Sequence, residues 1–227
     1  MKFNLKIDKL IKSNSELSEA EKERGLKQLM RLGTIIDVIY GLMIFRLFLL
    51  MPRPEVDNFG AAELVEVLKT SYLNYLAMTV GIVLIIIYWQ QSNLIFGNLE
   101  RTDSKHATIS ILQVFSLMLY LYFVRLDLEF DGAVIALKME SIALALAGFL
   151  SVLSWHYAIK NKFVTDSITV REKNQTYLKL LPEPIVSALT FPFAVLGPDI
   201  WTLAWLLLIP VSMTTKYLQR RIISSSN

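Results

Sequence analysis

The most unusual residues of the sequence are two charged side chains, Asp37 and Arg46, inside an otherwise apolar stretch. Ionisable groups within a membrane are costly, and they commonly face a cavity, a conduction path or one another. Asp37 lies six residues after Arg31, about 9 Å along a helix, and its short side chain predicts an internal polar network. Arg46 lies five residues before Met51. Its long side chain can reach the interface, pair with an outer acid, or face a pore or cavity.

A second group of polar side chains closes the next apolar stretch, between Tyr88 and Asn93. Tyr and Trp at a membrane boundary are typical of an aromatic belt. The same residues also bring hydrogen-bond groups to the level of Asp37. The Trp89 indole N–H or the Arg31 guanidinium can stabilise a buried carboxylate. We therefore predict a structural polar network of Arg31, Asp37, Trp89 and Asn93.

Signatures of enzymes are absent from the chain. It has no Gly-rich phosphate loop, no metalloprotease helix and no nucleophile elbow, so we expect no catalytic residue and no cofactor. The chain has no cysteine, which excludes disulfides and thiolate metal sites. Its two histidines, His106 and His156, fall near helix ends without an acidic partner nearby in sequence. We expect no metal site and no nucleic-acid partner.

The elements that hold these residues are apolar blocks of membrane-spanning length. The chain is 54% hydrophobic, above the roughly 45–50% of soluble domains, and the excess falls in blocks of about 20 residues. This pattern predicts an all-α integral membrane protein with six transmembrane helices. Their approximate bounds are 32–51, 72–90, 107–124, 133–159, 183–196 and 200–217. The last two blocks contain prolines and are open to a tilted or a re-entrant hairpin.

The distribution of basic residues predicts the orientation. Eighteen Lys and Arg fall on one side of these spans and four on the other, so the positive-inside rule places both termini in the cytoplasm of a cell-membrane protein. The opposite side carries eight acids. Their negative potential would concentrate cations at a pore mouth, or it is merely what the rule leaves outside. These acids are Glu55, Asp57, Glu63, Glu66, Asp127, Glu129, Asp131 and Asp199.

Three segments follow from these patterns. Residues 1–31 form a cytoplasmic amphipathic segment, residues 32–217 the transmembrane domain, and residues 218–227 a cytoplasmic tail. A capping box at Ser18-Glu19-Ala20-Glu21 predicts a helix that continues through Arg31 into the first span. The basic residues of this segment can also bind anionic membrane lipid.

Taken in order, these features resemble bacterial six-helix relatives of the lysosomal potassium channel transmembrane protein 175. The likeness covers most of the chain. It includes the charged residue Arg31 with Asp37 six residues later, Pro52 after the first span, and the run from Tyr88 to Phe96. Arg101-Thr102-Asp103 before the third span and the Pro-rich last pair also agree. The family motif Arg-x-x-x-Phe-Ser-Asp stands here as Arg31-Leu32-Gly33-Thr34-Ile35-Ile36-Asp37, without the Phe and the Ser.

The resemblance implies a homotetramer in which the first helix of each subunit lines a central pore. The family's main constriction falls five residues after the motif Asp, which is Leu42 here. Arg46 and Leu49 lie four and seven residues farther along and share its helix face. Phe45 occupies a position where some members have a small hydroxyl residue. Four arginines around a pore would repel potassium unless acids neutralise them, water solvates them, or the helix turns them aside.

Two main hypotheses follow, with a third beside them. The first is a channel for passive conduction of monovalent cations, with K⁺ as the permeant ion and a hydrophobic constriction in the first helix. The second is a non-conducting or selectivity-altered relative that acts as a membrane interaction protein, and the incomplete motif and Arg46 favour it. A small transporter is the third, although the sequence shows no inverted repeat.

Overall fold

The computed structural model describes residues 19–51, 60–130 and 132–224, and these residues form α-helices without a β-strand. The all-α prediction is therefore confirmed. Two 3₁₀ turns, Ala194–Leu196 and Trp205–Leu207, lie on either side of the short helix Pro198–Ala204. The α-helices of these ranges are α1 (Glu19–Leu49), α2 (Ala61–Thr70), α3 (Tyr72–Gly97), α4 (Ser104–Glu129), α5 (Val134–Lys160), α6 (Val170–Leu180), α7 (Pro182–Phe193), α8 (Pro198–Ala204) and α9 (Leu208–Ser224).

Helix α1 is one uninterrupted helix of 31 residues, or about 46 Å. Glu19 and Glu21 lie in its first turn and Arg46 in its last, so each charge complements the helix dipole. The charged segment before Arg31 therefore continues directly into the apolar span. Several expected features lie outside the described residues: Ser18 of the capping box, Pro52, and the acids Glu55, Asp57 and Asp131.

Within the described residues, five helical segments are long and apolar enough to cross a membrane. They are Glu19–Leu49, Asn74–Gly97, Ser104–Glu129, Val134–Lys160 and Val170–Leu196, and the first four agree in position with the predicted spans. The fifth begins with the polar helix α6, so its apolar part starts near Pro182, close to the predicted start. The chain is therefore a multi-pass membrane protein.

The predicted sixth span is not found as one continuous helix. The chain leaves α7 through Gly197, whose φ of 105° is a left-handed conformation that glycine adopts without strain. Helix α8 then has 7 residues, a 3₁₀ turn follows, and α9 has 17 residues. At 1.5 Å per residue, α9 spans about 25 Å, less than the hydrocarbon core of about 30 Å. The count of six spans is thus not confirmed.

The bundle is organised around α5, which packs against α4 and α7. Small buried residues recur on α5 at Ala143, Ala147, Ser151 and Ala158, and they allow close approach of neighbouring helices. Hydroxyl pairs join the helices inside the bundle, Ser110–Ser154 between α4 and α5 at 3.4 Å and Ser141–Thr190 between α5 and α7 at 2.9 Å. The Trp201 indole donates to Ser141 and attaches α8.

The loops that follow α3 and α5 meet beside the beginning of α1. Leu99 and Val164 form an isolated bridge, and the Thr102 backbone N–H donates to the carbonyl of Gly25. A Cβ on Gly25 would lie 2.9 Å from Arg101 Cβ, so only glycine allows this loop to approach α1 so closely. We call this end of the bundle the basic end, because the predicted cytoplasmic Lys and Arg residues cluster there.

Candidate pore face and polar contacts of the first helix

One face of α1 is left uncovered by the rest of the subunit. Leu42 is 61% exposed, Phe45 is 58% exposed, and Leu49 and Arg46 are also exposed. The opposite face, with Ile36, Tyr40, Met43 and Leu47, is buried against α3 and α4. The four residues that the resemblance assigned to a pore therefore all lie on the side of α1 that the subunit does not cover.

The uncovered face continues toward the basic end through Val38 and Ile35, both more than half exposed. These residues precede Leu42 by four and seven positions, so they lie on the same side of the helix. The sequence analysis did not name them, although the spacing that connected Leu42 to Leu49 also leads back to them. Together, Ile35, Val38, Leu42, Phe45 and Leu49 form what we call the α1 stripe.

Arg46 borders the α1 stripe in the last turn of the helix. Among the described residues, no carboxylate oxygen lies within 4.0 Å of its guanidinium. The α1 helix dipole stabilises a cation at this position. The described part of the chain thus leaves this charge exposed and without an acidic neighbour.

The expected internal network is joined at two of its four residues, Asp37 and Trp89, and both are exposed on the subunit rather than buried in it. The Trp89 indole N–H donates to Asp37 Oδ1 at 2.8 Å, within the usual range of a charge-assisted hydrogen bond. Asp37 lies roughly 140° around the helix from Leu42, so its carboxylate points to α3 and away from the α1 stripe. Arg31 and Asn93 are exposed and form no hydrogen bond or ion pair with another described residue. The Asp37–Trp89 pair joins α1 to α3.

A second polar cluster, not expected from the sequence, lies one turn deeper. The Tyr40 hydroxyl lies 3.0 Å from Ser92 Oγ and accepts a hydrogen bond from Gln113 Nε2 at 3.3 Å. All three side chains are buried, and they come from α1, α3 and α4. The available signal was Gln113 itself, a polar residue within an apolar span. This cluster connects the first helix to the two helices behind it.

The buried His106 side chain connects the α3–α4 loop to α5. Its ring nitrogens lie 2.7 Å from Thr102 Oγ1 and 2.9 Å from Ser154 Oγ, and the ring is fully buried. The expectation of no nearby acid is wrong, because the Asp103 carboxylate caps α4 by accepting from the His106 backbone N–H. The same carboxylate accepts a bond from Tyr157 at 2.8 Å. The side chain of His106 thus holds the α3–α4 loop against α5.

The half of the bundle away from the basic end contains a buried carboxyl group. Glu140 is 2% exposed, and its Oε1 atom has no hydrogen-bond partner among the described residues. It lines a narrow cavity with Asp127, Tyr120 and Trp201. The described residues contain no cluster of three or more His, Asp or Glu side chains that could hold a metal ion.

Comparison with known proteins gives matches at the level of structure. No protein-family model matches the chain, and no curated protein matches it. A lysosomal potassium-selective channel TMEM175 homologue from Chamaesiphon minutus is similar, with a TM-score of 0.66 and 16% identity, over 85% of this chain and 98% of that one. A variant of the Marivirga potassium channel MtTMEM175, solved with a nanobody-MBP fusion protein, has a TM-score of 0.55 and 18% identity, over 87% and 94% of the two chains. The resemblance to these homologues is thus confirmed for the fold.

Proposed function

We propose that the chain is one subunit of a homotetrameric channel for monovalent cations, with K⁺ as the permeant ion and passive conduction. The observation that supports it most is the α1 stripe, an apolar face that its own subunit leaves uncovered, in a fold similar to two structures described as potassium channels. In the most apolar 18-residue stretch of α1, only 28% is buried within the subunit, against 39% to 44% in the corresponding stretches of the other four candidate spans. The first helix is thus the one whose packing is least complete within a subunit.

A pore requires several copies of this stripe. One subunit presents it on a single helix, so a lining around a central axis needs the same helix from several subunits. Closed cyclic symmetry would place identical faces around a central axis. Four copies are proposed because the resemblance implies a tetramer. The Asp37–Trp89 bond would then hold each α1 at the rotation that turns Leu42 toward the axis.

Leu42 is proposed as the narrowest point of the pore. A ring of leucine side chains offers no oxygen atom to replace the water around a cation, so the ring would act as a hydrophobic constriction that gates or selects by dehydration. Val38 and Ile35 would continue the apolar lining toward the basic end, and Phe45 and Leu49 toward the other end. No cofactor takes part in this conduction.

The orientation in the cell membrane is proposed from charge. The positive-inside rule places the basic end, with both termini, in the cytoplasm. The opposite end would then carry Glu66, Glu129 and Asp199. Their field would attract cations toward the outer mouth.

Arg46 favours a second candidate, a selectivity-altered or non-conducting relative that serves as a membrane interaction protein. The side chain borders the α1 stripe, and no described carboxylate lies within 4.0 Å of it. With an effective dielectric constant of about 20, one arginine at about 8 Å repels K⁺ by about 2 kcal/mol. Four such charges would favour anions unless water or the outer acids screen them.

The test of the constriction is Leu42→Ala, measured as K⁺ flux from liposomes that contain the purified protein. Leu112→Ala is the matched control, because Leu112 is also an exposed leucine but lies on α4, outside the α1 stripe. We expect flux to rise roughly tenfold in Leu42→Ala, which corresponds to about 1.4 kcal/mol of barrier. Leu112→Ala should match the wild type. Equal flux in all three proteins would remove Leu42 from the pore.

A further inference from the structure

Two separate cavities lie along α3, on the side that faces α8 and α9, and we call the surface that carries both the α3 groove. The cavity near the basic end has a volume of about 420 Å³ and lies between α3, α7 and α9. Helix α9 packs against α6 and α7, which leaves this side of α3 open. The polar side chains of the cavity include Gln91, Lys179, Glu183, Ser212, Lys216 and Gln219.

Farther from the basic end, the groove becomes apolar. A second cavity, of about 180 Å³, is lined by Leu76, Val80 and Val83 of α3 and by Leu206 and Ile209 across from them. The α3 residues of both cavities lie on one helix face, since positions 76, 80, 83, 87, 90 and 94 follow a spacing of three and four. From Gln91 to Val80 is about 16 Å along the helix, close to half of a hydrocarbon core of about 30 Å. The polar and apolar parts are thus separated by the depth of one lipid leaflet.

The polar cavity carries a net positive charge. Lys179 and Lys216 are both exposed, and neither forms an ion pair with another described residue. Glu183 is buried, and its carboxylate accepts a hydrogen bond from Gln91 Nε2. Two ammonium groups against one carboxylate leave a charge of +1 for an anionic group. A phosphate diester carries the complementary charge and is a common partner of lysine at a membrane surface.

Gln91 has an acceptor that nothing in the described chain satisfies. The residue is 5% exposed, and its Nε2 atom donates to Glu183 and lies 3.5 Å from the carbonyl of Lys179. Its Oε1 atom is buried without a hydrogen-bond partner among the described residues. A buried acceptor without a donor costs about 1–3 kcal/mol. A ligand hydroxyl would supply the missing donor once the Gln91 side chain turns its Oε1 atom toward the cavity that the residue lines.

We infer that this groove binds one anionic phospholipid whose headgroup carries hydroxyl groups, of the phosphatidylglycerol class. Lys179 and Lys216 bind the phosphate, and a headgroup hydroxyl donates to Gln91 Oε1. One acyl chain lies along the apolar part of the groove, between Val83 and Leu206. The site lies in the leaflet at the basic end, and it exists whether or not the protein conducts ions.

The test measures lipid binding to the purified full chain by native mass spectrometry and thermal-shift titration. Three lipids with the same acyl chains serve as probes: phosphatidylglycerol, phosphatidylmethanol, which is anionic without headgroup hydroxyls, and zwitterionic phosphatidylcholine. We expect phosphatidylglycerol to bind at least about tenfold more tightly than phosphatidylcholine, with phosphatidylmethanol between them. Equal binding of all three lipids would overturn the proposal.

Two double variants locate the site. Lys179→Ala/Lys216→Ala should weaken phosphatidylglycerol binding by about tenfold or more, while Lys105→Ala/Lys160→Ala, which removes two exposed lysines at the same end outside the groove, should leave it unchanged. Equal effects of both pairs would indicate a general surface charge and contradict the site. If Lys179→Ala/Lys216→Ala dissociates the oligomer and leaves lipid binding unchanged, a second copy of the chain occupies the groove instead of a lipid. Because the readout is binding, an inactive channel would not affect the result.

Discussion

The contact between α5 and α7 depends on Gly148. A Cβ added to this residue would lie 2.7 Å from Cβ and Cδ of Pro184 and 2.9 Å from its Cγ. Carbon atoms in contact are normally about 3.5–4.0 Å apart, and the proline ring cannot rotate away. The substitution Gly148→Ala therefore forces the two helices apart by about 1 Å.

Two opposing effects set the magnitude of this change. Overpacking costs about 1–3 kcal/mol, whereas alanine in a helix interior is favoured over glycine by about 0.8–1.0 kcal/mol. The separation would also lengthen hydrogen bonds between α5 and α7, such as the one between Ser141 and Thr190 at 2.9 Å. Each such bond contributes about 0.5–1.5 kcal/mol. We expect Gly148→Ala to lower the free energy of unfolding by about 1–3 kcal/mol.

The assay is a denaturant titration of the purified protein in detergent, followed by tryptophan fluorescence. Gly33→Ala is the matched control, since a Cβ at this glycine of α1 meets no atom within 4 Å. That variant should keep the helix-propensity gain and be more stable by up to about 1 kcal/mol. The two substitutions thus have opposite expected signs. A Gly148→Ala protein as stable as Gly33→Ala would refute the close packing of α5 on α7.

Three further substitutions test the contacts of the first helix. Trp89→Phe removes the donor to Asp37 and should lower the free energy of unfolding by about 1–2 kcal/mol. If the same substitution costs as much in an Asp37→Ala background, the hydrogen bond contributes nothing to stability. Tyr40→Phe keeps the ring and removes the hydroxyl beside Ser92, so the same titration should show a loss of about 0.5–1.5 kcal/mol, and unchanged stability would contradict the buried cluster. Arg46→Ala should raise K⁺ flux severalfold in liposomes, and a fall in flux would mean that Arg46 assists conduction.

The apolar blocks were sufficient to predict four spans, because a stretch of about 20 apolar residues is long enough to cross a bilayer and is compatible with a continuous helix. In the region from residue 198 onward, composition does not predict where the helices begin and end. It is also apolar, but Gly197 in a left-handed conformation, Pro198 and a 3₁₀ turn divide it into short helices. Hydropathy averages over such breaks, whereas the backbone geometry that causes them depends on packing against α5 and α7.

The site shows a similar division. The resemblance pointed to Leu42, Arg46 and Leu49, helix periodicity places them on one face, and that face is the exposed one. The partners of Asp37 could not be derived in the same way. Trp89 and Asn93 are four residues apart on α3, yet only Trp89 reaches the carboxylate. Which of them does so depends on the rotation and depth of α3 against α1, and those are determined by contacts between distant residues such as Tyr40 and Ser92.

The most direct test of the proposed channel is ion flux through the wild-type protein in liposomes, measured with separate K⁺, Na⁺ and Cl⁻ gradients and with protein-free liposomes as the control. The proposal predicts K⁺ flux well above the control, with little Cl⁻ flux, since the field of Glu66, Glu129 and Asp199 would attract cations and repel anions at the outer mouth. Cl⁻ flux in excess of K⁺ flux, or no flux of any of the three ions, would contradict it.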